Sequence, residues 1–462
     1  MHLLRMVPAM VSLLIVTPGC KGDASGESDD SSGSSSDASG GDTAEPTGEA
    51  AGPTYWQDVA PVYFKNCVAC HQGGGIAPFG LDTAEEAATW AAASADAVAR
   101  RTMPPWLVTD DGSCNEFRGS RALADEDIAT IAAWAAAGAQ AGEERDDLVV
   151  PAPPHLEDGV DVLTPEFAPE PAGGPLAEFD EYRCFLLDPG IDEDLWIAGY
   201  EVSPGNAPLV HHVLGMPVDP SLVTESGLTN AEVMQALDDE SPERPGWPCF
   251  SAAGEGVEID GLPVTWAPGM GAVRYPEGTG VRMGKDHAFV VQVHYNLHEP
   301  ELAGQTDATR VRLDLVESVA RPAFVDMVDL FINTLFTGEP GQIPAGEAAA
   351  LVTWDADVGA WYVEGTGAEA VEVHGVFPHM HERGRRWRAE LIDGDEARCL
   401  GEVRAWDFDW QLFYFYDEPL VLRPGTRLRV TCEYDTRDVA EPVTPGWGTQ
   451  NEMCLAGLFV VP

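Results

Sequence analysis

Three runs in the C-terminal half of the chain alternate apolar and polar positions: Phe289 to Leu297, Trp387 to Ile392 and Arg427 to Tyr434. A period of two puts one face of each segment into a core and the other outward, which predicts strands. Pro-Gly turns break up such runs from Leu176 onward, and helical periodicity there is confined to the stretch around Asn230 to Asp238. This is the pattern of antiparallel sandwiches or jelly rolls. Its length suits two of them, 176–318 and 319–462, with the boundary near Glu317 to Arg321.

Upstream the period changes. Trp56, Val59, Ala60 and Tyr63 fall on one face of a short helix with Pro61 in its first turn. Asp82 and Glu85 are spaced as a capping box for a helix reaching Arg100, and Ile128, Ile131, Trp134 and Ala135 stripe a further helix that ends near Gly138. Residues 55–142 are therefore expected to form a small all-α domain ahead of a mainly β remainder. Residues 143–175 are Pro- and acid-rich without periodicity and are expected to be a linker. Residues 21–54 hold almost nothing apolar, so a disordered acidic tether is expected there.

Charge narrows the partners. With Lys+Arg 26 against Asp+Glu 77 the formal net charge is -51, which would repel nucleic acid and an anionic membrane surface. The first 20 residues carry a positive start at Arg5, a short apolar run from Val11 to Val16, and Thr17-Pro18-Gly19-Cys20. They form an export signal too short to span a membrane. The segment looks like a bacterial lipoprotein signal with Cys20 as the lipidated residue; ordinary secretion with an incidental Cys20 is the alternative. Either address permits disulfides. The expected location is the cell envelope, anchored through lipid in the periplasm or outer membrane.

The first chemical motif is Cys67-Val68-Ala69-Cys70-His71. Cys-x-x-Cys-His attaches a c-type haem through two thiols and ligates its iron with the histidine. Met103, before Pro104-Pro105, is the expected sixth ligand; its other role would be core filler. This makes the helical domain cytochrome c-like.

The β half carries histidines in metal-ligand settings. His379 and His381 lie on one face of an extended run with Met380 turned away, so both imidazoles can reach one metal. His211 and His212 are adjacent and reach one metal only at a strand end, at a bulge or through different ring nitrogens. His294, within an alternating run, completes a set of three, with His298 as the competing ligand. His155, His287 and His374 are expected to be ordinary histidines. Met453 near the C-terminus offers a thioether, a soft ligand suited to Cu(I), or else fills core.

Together, His211-His212-Val213-Leu214, Val293-His294-Tyr295, His379-Met380-His381, Cys432-Glu433-Tyr434 and Glu452-Met453-Cys454 resemble, in that order, the type II copper, ascorbate-dependent monooxygenase family, the peptidylglycine α-hydroxylating and dopamine β-monooxygenase group. The resemblance spans roughly the last 280 residues. It implies two jelly-roll-like domains, each holding one copper across a solvent-filled cleft. One copper would be bound by His211, His212 and His294 as an electron reservoir. The other would be bound by His379, His381 and Met453, where dioxygen binds and a substrate C–H bond is attacked. It also implies the bridge Cys432–Cys454 and an analogous Cys184–Cys249, leaving Cys114 and Cys399 without assigned partners. Peptide-processing members carry an arginine where Phe377 stands, and an asparagine and a tyrosine where Leu455 and Gly457 stand, so a peptidylglycine substrate is not expected.

The expectation is a copper-dependent monooxygenase that hydroxylates a C–H bond of a small substrate with O2. Its two coppers would draw electrons from ascorbate or another external reductant, or from a periplasmic donor through the haem. The alternative is a non-catalytic haem/copper electron-transfer or copper-binding envelope lipoprotein.

Overall fold

The computed structural model describes residues 52–73, 77–152, 154–171, 180–249, 252–297, 299–329, 342–446 and 450–462. The signal segment with Cys20, the tether up to 51 and the competing ligand His298 lie outside them.

In the first β region the strands are β1 (Val160–Leu163), β2 (Asp180–Leu187), β3 (Leu195–Ser203), β4 (Val210–Val218), β5 (Trp247–Pro248), β6 (Val264–Trp266), β7 (Val273–Arg274), β8 (Thr279–Met283), β9 (Ala288–Asn296) and β10 (Arg310–Val316). The second has β11 (Arg321–Val328), β12 (Ala350–Ala356), β13 (Val371–His379), β14 (Gly384–Asp393), β15 (Glu396–Val403), β16 (Tyr414–Leu422), β17 (Arg427–Tyr434) and β18 (Leu455–Val461). The three runs with period-two alternation became β9, β14 and β17.

Among the described residues these strands make three sheets. One is five-stranded, in the order β5-β2-β9-β4-β6, and one four-stranded, β12-β17-β14-β15. The third is nine-stranded, β1-β10-β3-β8-β11-β18-β13-β16 with β7 beside β3. It backs both smaller sheets. Phe185, Val213 and Val291 of the five-stranded sheet pack on Ile197, Tyr200 and Val311 of the long one, and Trp387, Leu391 and Val430 of the four-stranded sheet pack on Val376, Tyr414 and Leu458. Two sandwiches are present, but they share a layer. The expected boundary at 318/319 falls in the β10–β11 connection, where β8 and β11 pair in parallel and carry the sheet across. Ala323, Val325, Phe459 and Val461, all beyond 318, complete the first sandwich's core.

The segment expected to be a linker contains β1, which pairs with β10. Its side chains had no alternating signal because it lies at the outer edge of the long sheet.

Among the described residues, 55–142 contain four short α-helices, α1 (Ala60–Asn66), α2 (Ala84–Thr89), α3 (Ala91–Ala99) and α4 (Asp125–Ala136), and α5 (Asn230–Asp239) follows in the first sandwich. Tyr55, Tyr63, Val98, Ile131 and Trp134 are buried in one core. The cap of α2 differs from expectation: Thr83, not Asp82, stands at the N-cap and its hydroxyl accepts the Glu86 N–H at 3.3 Å. The helix expected to reach Arg100 breaks at Trp90, whose ring stacks on Phe79 at 4.1 Å.

This helical part is tied to the second sandwich. Val108 bridges to Val403 of β15 and Phe117 to Tyr416 of β16. Thr109 N–H donates to Glu402 O at 2.7 Å and Arg118 N–H to Phe415 O at 2.8 Å. β15 and β16 are the end strands of their sheets, so the 108–118 segment covers two edges that would otherwise offer unpaired backbone. Val108 and Phe117 are part of the core between those sheets. Cys114, which had no assigned partner, is bonded to Cys399 of β15 across this contact.

Candidate metal centres

The first imidazole set stands on the central strands of the five-stranded sheet. His212 and His294 are directly opposite each other on β4 and β9, and the register shifts between Val210 and His212, so His211 occupies a bulge. The bulge answers the objection to adjacent histidines: it turns His211 to the side its neighbour uses. His212 Nδ1 lies 3.3 Å from His211 Nδ1 and 3.2 Å from His294 Nδ1. Three ring nitrogens thus converge on one point.

The opposite side of His294 explains why its Nδ1 faces inward. Its Nε2 lies 2.8 Å from Asp180 Oδ1, with both residues buried. An imidazole that donates Nε2–H to a carboxylate keeps its Nδ1 lone pair for a ligand role. Tyr182, opposite His294 on β2, stacks on its ring at 4.0 Å. Burial, followed by the charge of His294, holds the pKa values of His211 and His212 well below the usual histidine range. Neutral rings are the form a metal accepts.

The second set is built at a strand end. His379 closes β13, and His381 follows two residues later with its ring centroid 5.2 Å away and perpendicular. Met380 between them is fully buried in the core, as the alternation predicted. His381 Nδ1 lies 3.1 Å from Asn451 O, to which it donates, the kind of backbone hold by which ligating histidines are oriented. His379 Nδ1 is buried without a hydrogen-bond partner, and burial, then His381, lowers the pKa of that ring to about 3. An orphaned, neutral ring nitrogen beside a second imidazole is the donor chemistry that a metal would satisfy.

The backbone around Met453 is held beside this set by its neighbours. Glu452 is fully buried, and its two carboxylate oxygens accept the N–H groups of His381 at 2.9 Å and Arg383 at 2.7 Å. Burial pushes the Glu452 carboxyl up to about 8. The carbonyls of Met453, Cys454 and Leu455 accept hydrogen bonds from Tyr434 Oη, Trp354 Nε1 and Trp387 Nε1 at 2.7, 2.8 and 2.9 Å. All three donors come from the four-stranded sheet, and the bridge Cys432–Cys454 adds a covalent hold. The other bridge implied by resemblance, Cys184–Cys249, is also formed.

The two sets face one another. Phe408, in the loop between β15 and β16, stacks on His211 at 4.5 Å and meets His381 edge-on at 6.0 Å. One phenyl ring thus stands beside a histidine of each set. Phe377, in the position where peptide-processing proteins have arginine, stacks on His379 at 5.9 Å and Phe413 on Phe377 at 6.2 Å. Asp180, Tyr182, Trp406 and Phe408 were not singled out from sequence. Asp180 lies 114 positions from its partner, and only the aromatic-acidic run Trp406-Asp407-Phe408-Asp409-Trp410 gave any local signal.

In the helical part, Cys67 and Cys70 are free thiols. Burial raises Cys67 to about 12. His71 Nδ1 lies 3.3 Å from Phe79 O, to which it donates. Met103 is half-buried, and no described contact joins it to His71.

The β part thus carries two imidazole groups, three rings close enough to share one metal ion and a pair at the end of β13 beside the held backbone of residues 451–455. Residues 364–460 match the family model of the copper type II ascorbate-dependent monooxygenase C-terminal domain. The chain is 29% identical over 202 residues to DBH-like monooxygenase protein 1 of Homo sapiens, covering 43% of this chain and 32% of that protein. It is 23% identical to tyramine beta-hydroxylase of Caenorhabditis briggsae, covering 56% and 41%, and 24% identical to dopamine beta-hydroxylase of Homo sapiens, covering 78% and 55%. The chain spans about a third of the length of the first of these relatives. The matches support the type II copper monooxygenase family. Three disulfides are those of an exported protein, and no described helix is long and apolar enough to cross a membrane.

Proposed function

We propose that the chain is an exported copper-dependent monooxygenase that hydroxylates a C–H bond of a small apolar substrate. The observation that carries this is the presence of two unlike imidazole groups, three Nδ1 atoms gathered on β4 and β9 and a perpendicular pair, His379 and His381, at the end of β13. His211, His212 and His294 hold one copper, and His379, His381 and Met453 hold the second. When bound, copper supplies the one-electron chemistry and oxygen activation that side chains lack. The soft thioether favours Cu(I) at the second set.

The protein's own groups do the rest. Asp180 keeps His294 in the Nδ1-ligating tautomer, and Glu452 fixes the backbone turn that carries His381. Phe377 and Phe413 line the second set with apolar surface, which favours an apolar substrate over a carboxylate. One oxygen atom of O2 enters the substrate and the other leaves as water, so each turnover consumes two electrons and two protons. Ascorbate or a comparable external reductant supplies the electrons. Cys67, Cys70 and His71 attach a c-type haem, with Met103 as its sixth ligand, that offers a second entry from a periplasmic donor. Cys20 carries a lipid anchor.

Metal analysis with electron paramagnetic resonance on purified protein tests the reading. Two coppers per chain are expected, falling to one in His381→Ala with the first-set signal retained, together with substrate-dependent oxygen uptake. Full copper loading with no oxygen uptake on any apolar substrate would instead support the electron-transfer lipoprotein.

A further inference from the structure

Each ring of the first imidazole set needs something to hold it. His294 has Asp180 and the stacked Tyr182, and His212 lies in the strand ladder opposite His294. His211 has neither advantage. It sits in the bulge, and its stacking partner is Phe408 at 4.5 Å, with ring planes 25° apart. Phe408 belongs to the other sandwich.

The loop carrying Phe408 is anchored at the second set. Trp406 Nε1 donates to His381 O at 3.0 Å, Gln411 Nε2 donates to Phe408 O at 2.9 Å, and the Phe408 ring meets that of His381 at 6.0 Å. Trp406 and Gln411 are buried. One short loop therefore grips the backbone of a second-set histidine and covers the ring of a first-set histidine.

We propose that Phe408 is a positioning residue that completes the first metal set from the opposite sandwich, so that metal binding at the two sets is coupled through Trp406 and Phe408. This rests on the reading that both sets bind copper. Filling the second set restrains His381, and with it the loop, which reduces the ordering His211 must undergo when the first set fills. Because such linkage is reciprocal, each set tightens the other by the same factor.

The test uses the full-length chain, Cu(I) titrated in competition with a chromophoric chelator, and the paramagnetic resonance of the Cu(II) form. Phe408→Ala is expected to weaken the first set about 3- to 10-fold, the range of a lost aromatic stack, and to alter its hyperfine pattern. Phe408→Trp should recover affinity to within about twofold. His381→Ala should weaken the first set in the unmodified background and add nothing in the Phe408→Ala background. A second-set signal that persists in Phe408→Ala shows that the fold is intact. First-set affinity unchanged by Phe408→Ala, or an effect of His381→Ala that is the same with and without Phe408, overturns the coupling and leaves the copper reading standing. Less than one copper per unmodified chain overturns both.

Discussion

Asp180 and His294 are joined by a 2.8 Å hydrogen bond across 114 positions of chain, in a place where neither side chain meets solvent. The carboxylate selects which ring nitrogen points at His212, and that choice decides whether three imidazoles can share one metal.

Asp180→Asn keeps the size of the side chain but removes its charge and lets it present a donor to Nε2. Copper affinity at the first set should fall about 10- to 100-fold. Chelator competition on the two sets separately is the measurement. Equal affinities in the variant and the parent would mean that the carboxylate serves only packing.

Glu452 satisfies two backbone donors at once, His381 N–H and Arg383 N–H. Glu452→Gln offers one acceptor oxygen in place of two and leaves a buried N–H unpaired, at a cost of about 1–3 kcal/mol. Denaturant titration should register that loss, and second-set copper should bind more weakly. A stable variant with normal second-set copper would refute the role given to this residue.

The bridge Cys114–Cys399 closes a loop of 285 residues. Replacing both cysteines by serine should destabilise the chain by about 2–4 kcal/mol. Amide exchange should rise first at Thr109 and Arg118, whose N–H groups bond to β15 and β16. Unchanged protection there would show that packing of Val108 and Phe117 suffices.

In the function proposed above, haem attachment and copper binding use separate residues. Cys67→Ala with Cys70→Ala should abolish covalent haem, read from the visible spectrum of the denatured protein, while copper per chain stays constant. A parallel loss of copper would mean that the helical part is needed to build the β half.

Glu201 pins the start of the β1 segment, accepting Leu156 N–H at 2.9 Å and pairing with His155. Burial raises its pKa, but the Leu156 N–H and His155 outweigh this and the net shift is downward. A carboxylate with a depressed folded pKa stabilises the fold above its unfolded value, near 4.3, and loses that contribution as pH falls through the folded value. Thermal midpoints should therefore drop more steeply below about pH 4.5 in the parent than in Glu201→Gln. Parallel pH profiles would rule this out.

Much of this molecule is written locally. Alternation in Phe289–Leu297, Trp387–Ile392 and Arg427–Tyr434 set three strands, because a side-chain period of two is a property of the backbone itself. Spacing alone put His379 and His381 side by side with Met380 in the core. The pairing of Cys432 with Cys454 and Cys184 with Cys249 followed from resemblance. The cap at Thr83 and the break at Trp90 were missed because one-residue shifts at helix ends depend on packing, here the stacking of Trp90 on Phe79.

What the sequence determined by itself is three of the strands, the helical character of the 55–142 region and which residue types can bind metal. The tertiary structure alone decided that one long sheet backs both sandwiches, that His211 bulges toward His212, that Asp180 meets His294, that Cys114 finds Cys399, and that Phe408 lies against both imidazole sets. Each of these joins residues far apart in the chain. Periodicity reports only which way a side chain points from its own backbone. Which distant surface it then meets depends on strand order and register, and those are settled when the sheets pack together.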